Sequence, residues 1–195
     1  YNAYYYNGSD VLFGVCDYDL SELQSQGMEV MFLPLYDALF GEEAAALLRA
    51  QTVYNLMTGV VQGAMYDEFQ QTVYRLDEPT PARVNEAFLD IYESYGYEPY
   101  DGAEYEWMSV IHNFEQPMYY ISYAVSALPA LELYAMQQKS PADALDTYLR
   151  AAAMADEWYY LSDALEYTGL HDQLRQPLPS LPGEICAGGV FDLPA

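Results

Sequence analysis

Helix boundary signals recur along the sequence and separate stretches whose apolar residues repeat at helical spacing. Thr80 and Ser140 can each cap a helix with their side chains, and each precedes a proline, which suits the first helical turn. Asp17 or Asp19 can cap an earlier helix in the same way. The pattern predicts helices over residues 17–33, 42–76, 81–95, 117–138, 141–155 and 157–167.

The remaining segments fit a single helical domain. Residues 11–16 are short, apolar and β-branched at both ends, which predicts an extended connector or one short strand. Gly59 and Gly63 lie inside a predicted helix, where each costs about 1 kcal/mol relative to alanine. They are four residues apart and share a face, so close helix packing would offset this cost. We therefore predict one all-α domain, a multi-helix bundle over residues 1–195, with an irregular proline-rich tail at 176–195.

The charge of the chain disfavours two classes of partner. Thirty acidic residues against six basic ones give a formal net charge of −24. Nucleic acids and anionic membranes are bound mainly through Lys and Arg, so neither is an expected partner. No apolar run reaches the length of a membrane span. Cys16 and Cys186 lack metal-ligand spacing, which favours free thiols in a reducing compartment and predicts a cytoplasmic protein.

Two acidic residues lie on one face of the helix predicted from residue 17. Glu22 and Glu29 are seven residues apart, so they point in directions about 20° apart. The rest of this helix is strongly apolar, which indicates burial over much of its circumference. A buried carboxylate needs a hydrogen bond or a cation, and zinc is one cation that carboxylates bind. The alternative is a pair of solvent-facing carboxylates.

A second candidate cluster surrounds one of the two histidines. His112 is followed by Tyr119, Tyr120 and Tyr123, of which the last shares a helix face with one of the first two. An imidazole and phenol hydroxyls in one pocket can donate hydrogen bonds to a developing oxyanion. The alternative is a core histidine among half-buried aromatic side chains.

Two runs in the sequence resemble a known family. LSELQSQGMEVMF at 20–32 resembles the helix that carries the third zinc ligand in zinc metallopeptidases of the oligoendopeptidase F and thimet oligopeptidase kind. WMSVIHNFEQPMYYISYA at 107–124 resembles the substrate-binding segment of that family. The resemblance extends as far as Leu170 and implies the catalytic helical lobe of a zinc oligopeptidase.

The resemblance implies a role for each candidate residue. Glu22 would be the third protein ligand of a catalytic Zn²⁺. His112 and one or two of Tyr119, Tyr120 and Tyr123 would bind the scissile carbonyl and its tetrahedral intermediate. The implied reaction is hydrolysis of internal bonds in short peptides by a water molecule that zinc activates.

The sequence departs from the family at the zinc site. No H-E-x-x-H occurs in it, and His171 lies beside a helix terminator, where surface capping is expected. By the resemblance, that motif lies upstream of Tyr1. Helix phase, rather than the resemblance, makes Glu29 a candidate to orient one of its histidines. The chain alone is then expected to hold no zinc and to be inactive, with the N-terminal half of the same protein as its partner. The alternatives are a non-catalytic peptide-binding domain that has lost the zinc site and a purely structural bundle.

Overall fold

A computed structural model of the chain describes residues 17–154 and 159–172. The predicted extended segment at 11–16 and the tail at 176–195 lie outside these residues. Within them the fold is all-α, as the sequence predicts, and contains no strand. Short 3₁₀ helices occupy Leu33–Leu35 and Ala103–Ser109. The α-helices are α1 Tyr18–Phe32, α2 Tyr36–Phe40, α3 Glu42–Tyr74, α4 Pro81–Ser94, α5 His112–Glu115, α6 Ile121–Lys139, α7 Pro141–Ala152 and α8 Leu161–Thr168.

The predicted N-caps are present in the structure. Asp17 accepts a hydrogen bond from the backbone N–H of Asp19 at 2.8 Å. Thr80 and Ser140 each accept one from the N–H three residues further on, at 3.4 and 3.3 Å. The second carboxylate oxygen of Asp17 accepts from the N–H of Leu161 at 2.9 Å. One aspartate therefore caps α1 and ties the start of α8 to it.

Two predicted helices begin later than the sequence indicates. The helix expected from Pro117 begins at Ile121, because Met118 adopts φ +63°, which no α-helix accommodates. The last helix, expected over 157–167, begins at Leu161. There the N–H of Tyr160 is bonded to the side chain of Asp163 at 2.8 Å, which fixes the first turn.

Helix α6 is central to the packing, with its most extensive contacts to α1 and α3 and further contacts to α7. Two clusters of buried side chains result. The main core lies among α1, α3, α6, α7 and α8, and the aromatic core lies among α3, α4 and the second 3₁₀ helix. Large side chains of the main core include Leu20, Leu23, Val30, Leu133 and Tyr148. Those of the aromatic core include Met65, Tyr66, Phe69, Phe88, Ile91 and Tyr92.

Helix α3 is the longest helix of the described residues and contains Gly59 and Gly63. A Cβ atom at Gly63 would lie 2.6 Å from the Cβ of Ala124 on α6, so this glycine allows the two helices to approach closely. Gly59 faces open space. The packing explanation therefore holds for Gly63 and is wrong for Gly59. Despite the length of α3, no helix in the described part of the chain is both long and apolar enough to cross a membrane.

Candidate active site

The carboxylate of Glu22 is the first element of the candidate site. It lies half-buried on α1. Its Oε1 accepts a hydrogen bond from the phenol of Tyr119, which is 97 residues further along the chain. Its Oε2 accepts from the hydroxyl of Ser25 at 2.9 Å. These two bonds hold the carboxylate in one orientation.

His112 packs against the ring of Tyr119, the residue that bonds to Glu22. The rings of His112 and Tyr119 stack with centroids 5.2 Å apart and planes 7° apart. The hydroxyl oxygen of Tyr123 is 3.4 Å from His112 Nε2. The ring of Tyr120 meets His112 edge-on, with centroids 5.6 Å apart. The structure therefore brings Glu22, His112 and the three predicted tyrosines together in one cluster, which we call the Glu22–His112 cluster.

Two tyrosines that we did not predict extend this cluster. Tyr18 packs edge-on against Tyr119 with centroids 5.0 Å apart. It lies four residues before Glu22, so helical spacing could have identified it. Tyr66 on α3 packs against Tyr120 at 4.9 Å and belongs to the aromatic core. No local signal links Tyr66 to this cluster, because the two rings meet only through tertiary packing.

The cluster keeps its phenols protonated at neutral pH. Burial, followed by the hydrogen bond to Glu22, raises the pKa of Tyr119 well above its ordinary value of about 10. Burial is also the largest cause of the raised pKa of Tyr120 and of Tyr123. Neutral phenols are hydrogen-bond donors. The cluster can therefore supply donors to an oxygen atom that gains negative charge.

Glu29 lies seven residues after Glu22, about two turns further along the same face of α1. Its side chain is exposed, and the structure gives it no hydrogen bond within the described residues. Partial burial and then the charge of Glu22 raise its pKa. The two carboxylates thus interact through their charges. Its predicted role in orienting a metal-binding histidine stays a prediction.

This raised pKa gives a prediction for stability against pH. A carboxyl whose pKa is higher in the folded state stabilises the fold below its unfolded pKa, about 4.3 for Glu, and loses this contribution as pH rises through the folded value. We expect Glu29→Gln to melt at a higher temperature than the parent at pH 7, and the difference to disappear near pH 4. Melting curves between pH 3 and 8 measure this. Glu86→Gln, an exposed glutamate on α4, serves as the control. A lower melting temperature for Glu29→Gln at pH 7 contradicts the prediction.

The zinc ligand role of Glu22 can be tested against its chemistry. Carboxylate oxygens are normal zinc ligands, and an oxygen that accepts one hydrogen bond keeps a lone pair for a metal. Within residues 17–154 and 159–172, no group of three or more His, Cys, Asp or Glu side chains could hold a metal ion. His171 is exposed and bonded to Glu132, with His171 Nδ1 3.1 Å from Oε1. Glu22 therefore fits zinc as one ligand, provided that the others come from outside the described residues.

Comparisons with known proteins assign no family to the chain. No family model matches the sequence, and neither the curated proteins nor the solved structures contain a match. The resemblance of residues 20–32 and 107–124 to a zinc peptidase therefore stays a prediction. Support for a function comes from the geometry of the Glu22–His112 cluster.

Proposed function

We propose that the chain is the C-terminal part of a zinc-dependent oligopeptidase that hydrolyses internal bonds of short peptides. The observation that carries the proposal is the junction at Tyr119. This side chain bonds to Glu22 and stacks on His112, although these two residues lie 90 positions apart in the sequence. The residues that the resemblance assigns to zinc and to substrate are therefore neighbours in space.

The contacts suggest a separate role for each tyrosine. Tyr119 donates its hydrogen bond to Glu22, so we assign it to orienting that carboxylate. The hydroxyl of Tyr123 and Nε2 of His112 lie side by side. We assign these two groups to binding the scissile carbonyl. Tyr120, whose ring contacts those of His112 and Tyr123, forms the wall behind them.

Catalysis in this proposal divides between the chain and groups outside it. A zinc ion, when bound, lowers the pKa of a coordinated water toward about 7. Glu22 contributes one ligand. His112 and Tyr123 stabilise the negative charge that develops on the carbonyl oxygen. The two other ligands and the general base would come from an H-E-x-x-H helix. The proposal places this helix in residues encoded upstream of Tyr1.

The same proposal includes the partners and the location. The N-terminal half of the protein would complete the substrate cleft, and the cytoplasm would be the compartment. The net charge of −24 would favour peptides that carry positive charge, and the alternative is a solvated acidic surface that aids solubility. Neither nucleic acid nor an anionic membrane is a proposed partner, because that charge repels both.

The proposal is tested by Glu22→Gln in the protein that includes the upstream residues. A neutral amide is a poor zinc ligand, so we expect bound zinc and peptide hydrolysis to be lost together. Zinc is measured by atomic emission after dialysis, and hydrolysis with a quenched fluorescent peptide. Glu86→Gln is the matched control and should retain both.

Two outcomes would count against the zinc peptidase. Full zinc occupancy and turnover in Glu22→Gln would refute the ligand role. A parent protein that binds peptides but no zinc would instead support the non-catalytic peptide-binding domain.

A further inference from the structure

The backbone at Met118 has an unusual conformation directly before Tyr119. Among the described residues it is the only non-glycine residue with positive φ, at +63°. Residues with a Cβ atom adopt this left-handed conformation only when their surroundings hold them there. The direction in which the chain leaves Met118 sets the position of Tyr119. Whatever holds Met118 therefore also positions a member of the Glu22–His112 cluster.

The side chain of Gln70 on α3 holds this turn. Its Oε1 accepts a hydrogen bond from the N–H of Met118 at 2.6 Å. Its Nε2 donates to Oδ1 of Asn113 at 3.2 Å. Met118 directly precedes Tyr119, and Asn113 directly follows His112. One amide therefore contacts both ends of the segment that carries the two site residues.

Further hydrogen bonds link Asn113 to helix α4. Nδ2 of Asn113 donates to the backbone carbonyl of Trp107 at 2.7 Å, and the indole N–H of Trp107 donates to Oδ1 of Asn85 on α4 at 3.0 Å. The segment between α4 and α6 is thus fixed by side-chain amides. Gln70 is the only one of these amides that reaches the turn at Met118.

The side chain of Gln70 is almost fully buried. It is 3% exposed and follows Phe69 of the aromatic core. A buried amide is costly unless both its oxygen and its nitrogen are hydrogen-bonded. Here both are bonded, and both bonds go to the one segment. This arrangement indicates a positioning role.

We propose that Gln70 is the positioning residue of the Glu22–His112 cluster: by bonding Met118 and Asn113 it sets Tyr119 against Glu22 and His112. Its importance for catalysis rests on the proposed function. The placement of Tyr119 does not, because that can be measured on the 195-residue chain without zinc or substrate.

The test compares two buried glutamines. Gln70→Met keeps the length of the side chain and removes both hydrogen bonds. Gln137→Met is the matched control, because Gln137 is 6% exposed and its Nε2 donates to the carbonyl of Val30 at 3.0 Å, in the main core. Both variants lose a buried amide, so a general loss of stability should affect both. Far-UV circular dichroism establishes that each is folded.

The readout is the proximity of the Tyr119 and His112 rings, followed as nuclear Overhauser effects between them in protein with carbon-13-labelled tyrosine and assigned through Tyr119→Phe. We expect Gln70→Met to lose these effects, because the turn that holds Tyr119 against His112 is loosened. Gln137→Met should leave them unchanged. Gln70→Asn, whose shorter side chain cannot span both partners, should act in the same direction if Gln70→Met fails to fold. Unchanged effects between Tyr119 and His112 in a folded Gln70 variant overturn the proposal.

Turnover then distinguishes this proposal from the proposed function. In the protein with the upstream residues, we expect Gln70→Met to lower kcat at least ~10-fold while bound zinc is unchanged. A parent protein without zinc would refute the proposed function and leave the NMR result standing. Loss of the contact between Tyr119 and His112 with full turnover would refute the catalytic importance of Gln70 alone.

Discussion

Gly63→Val is expected to destabilise the fold by about 3 kcal/mol, the upper end of the usual cost of overpacking. A Cβ atom at this position would meet the Cβ of Ala124 at 2.6 Å and its backbone nitrogen at 3.0 Å. Backbone atoms cannot rotate away, so α3 and α6 would have to separate. The contact between these helices is among the most extensive in the structure, and both cores would loosen. Urea unfolding followed by circular dichroism measures the loss.

Gly59→Ala on the same helix is the matched control. A Cβ atom at Gly59 meets nothing within 4 Å, so only the backbone preference of the residue changes. Alanine in a helix interior should then stabilise the chain by about 0.5–1 kcal/mol. Equal losses in Gly59→Ala and Gly63→Val would contradict the close approach of α3 and α6.

Tyr123→Phe is expected to lower kcat by about 10²–10³-fold in the protein with the upstream residues, the usual cost of removing one oxyanion donor. The change removes only the hydroxyl beside His112 Nε2 and keeps the ring that packs against Tyr120. KM should change far less, because the bond strengthens as the carbonyl oxygen gains charge. Steady-state kinetics on a quenched fluorescent peptide separates the two constants.

The control for this experiment is Tyr74→Phe. Tyr74 is exposed at the end of α3 and should tolerate the change with unaltered kcat. If Tyr123→Phe retains full kcat, or raises KM alone, Tyr123 does not stabilise the transition state. Tyr120 would then be the remaining candidate for binding the carbonyl, and the role assigned to Tyr123 would be wrong.

The fold follows from the sequence wherever its signals are local. Asp17, Thr80 and Ser140 cap the helices that we predict from them, because a cap depends on a side chain and the next three residues. The all-α class follows for the same reason. Gly169, the helix terminator that precedes His171, ends α8 with φ +77°.

The sequence is misleading where a distant contact decides the local structure. Pro117 predicts a helix start, but Gln70 holds the next residue, Met118, in a left-handed conformation, and the helix begins at Ile121. A bond between residues 48 apart leaves no local trace. The contrast between Gly59 and Gly63 is of the same kind, since only the packed structure shows which of them faces α6.

The candidate site likewise combines residues that a local pattern indicates with contacts that only the folded structure shows. Helical spacing places Glu22 and Glu29 on one stripe, and the resemblance selects His112 and its tyrosines. The bond between Tyr119 and Glu22 joins residues 97 apart, so it could not be derived from either motif alone. Gln70 was missed entirely, because a glutamine inside a long helix is ordinarily a surface residue.

The central claim is that Glu22 is a zinc ligand beside a carbonyl-binding cluster. It is tested most directly by a crystal structure of the protein with its upstream residues, with anomalous scattering recorded at the zinc absorption edge. We predict an anomalous peak about 2.0–2.2 Å from a carboxylate oxygen of Glu22, with the ring of His112 facing the same cleft. A zinc peak elsewhere, or a Glu22 bonded only to Tyr119 and Ser25 in zinc-soaked crystals, would contradict the claim.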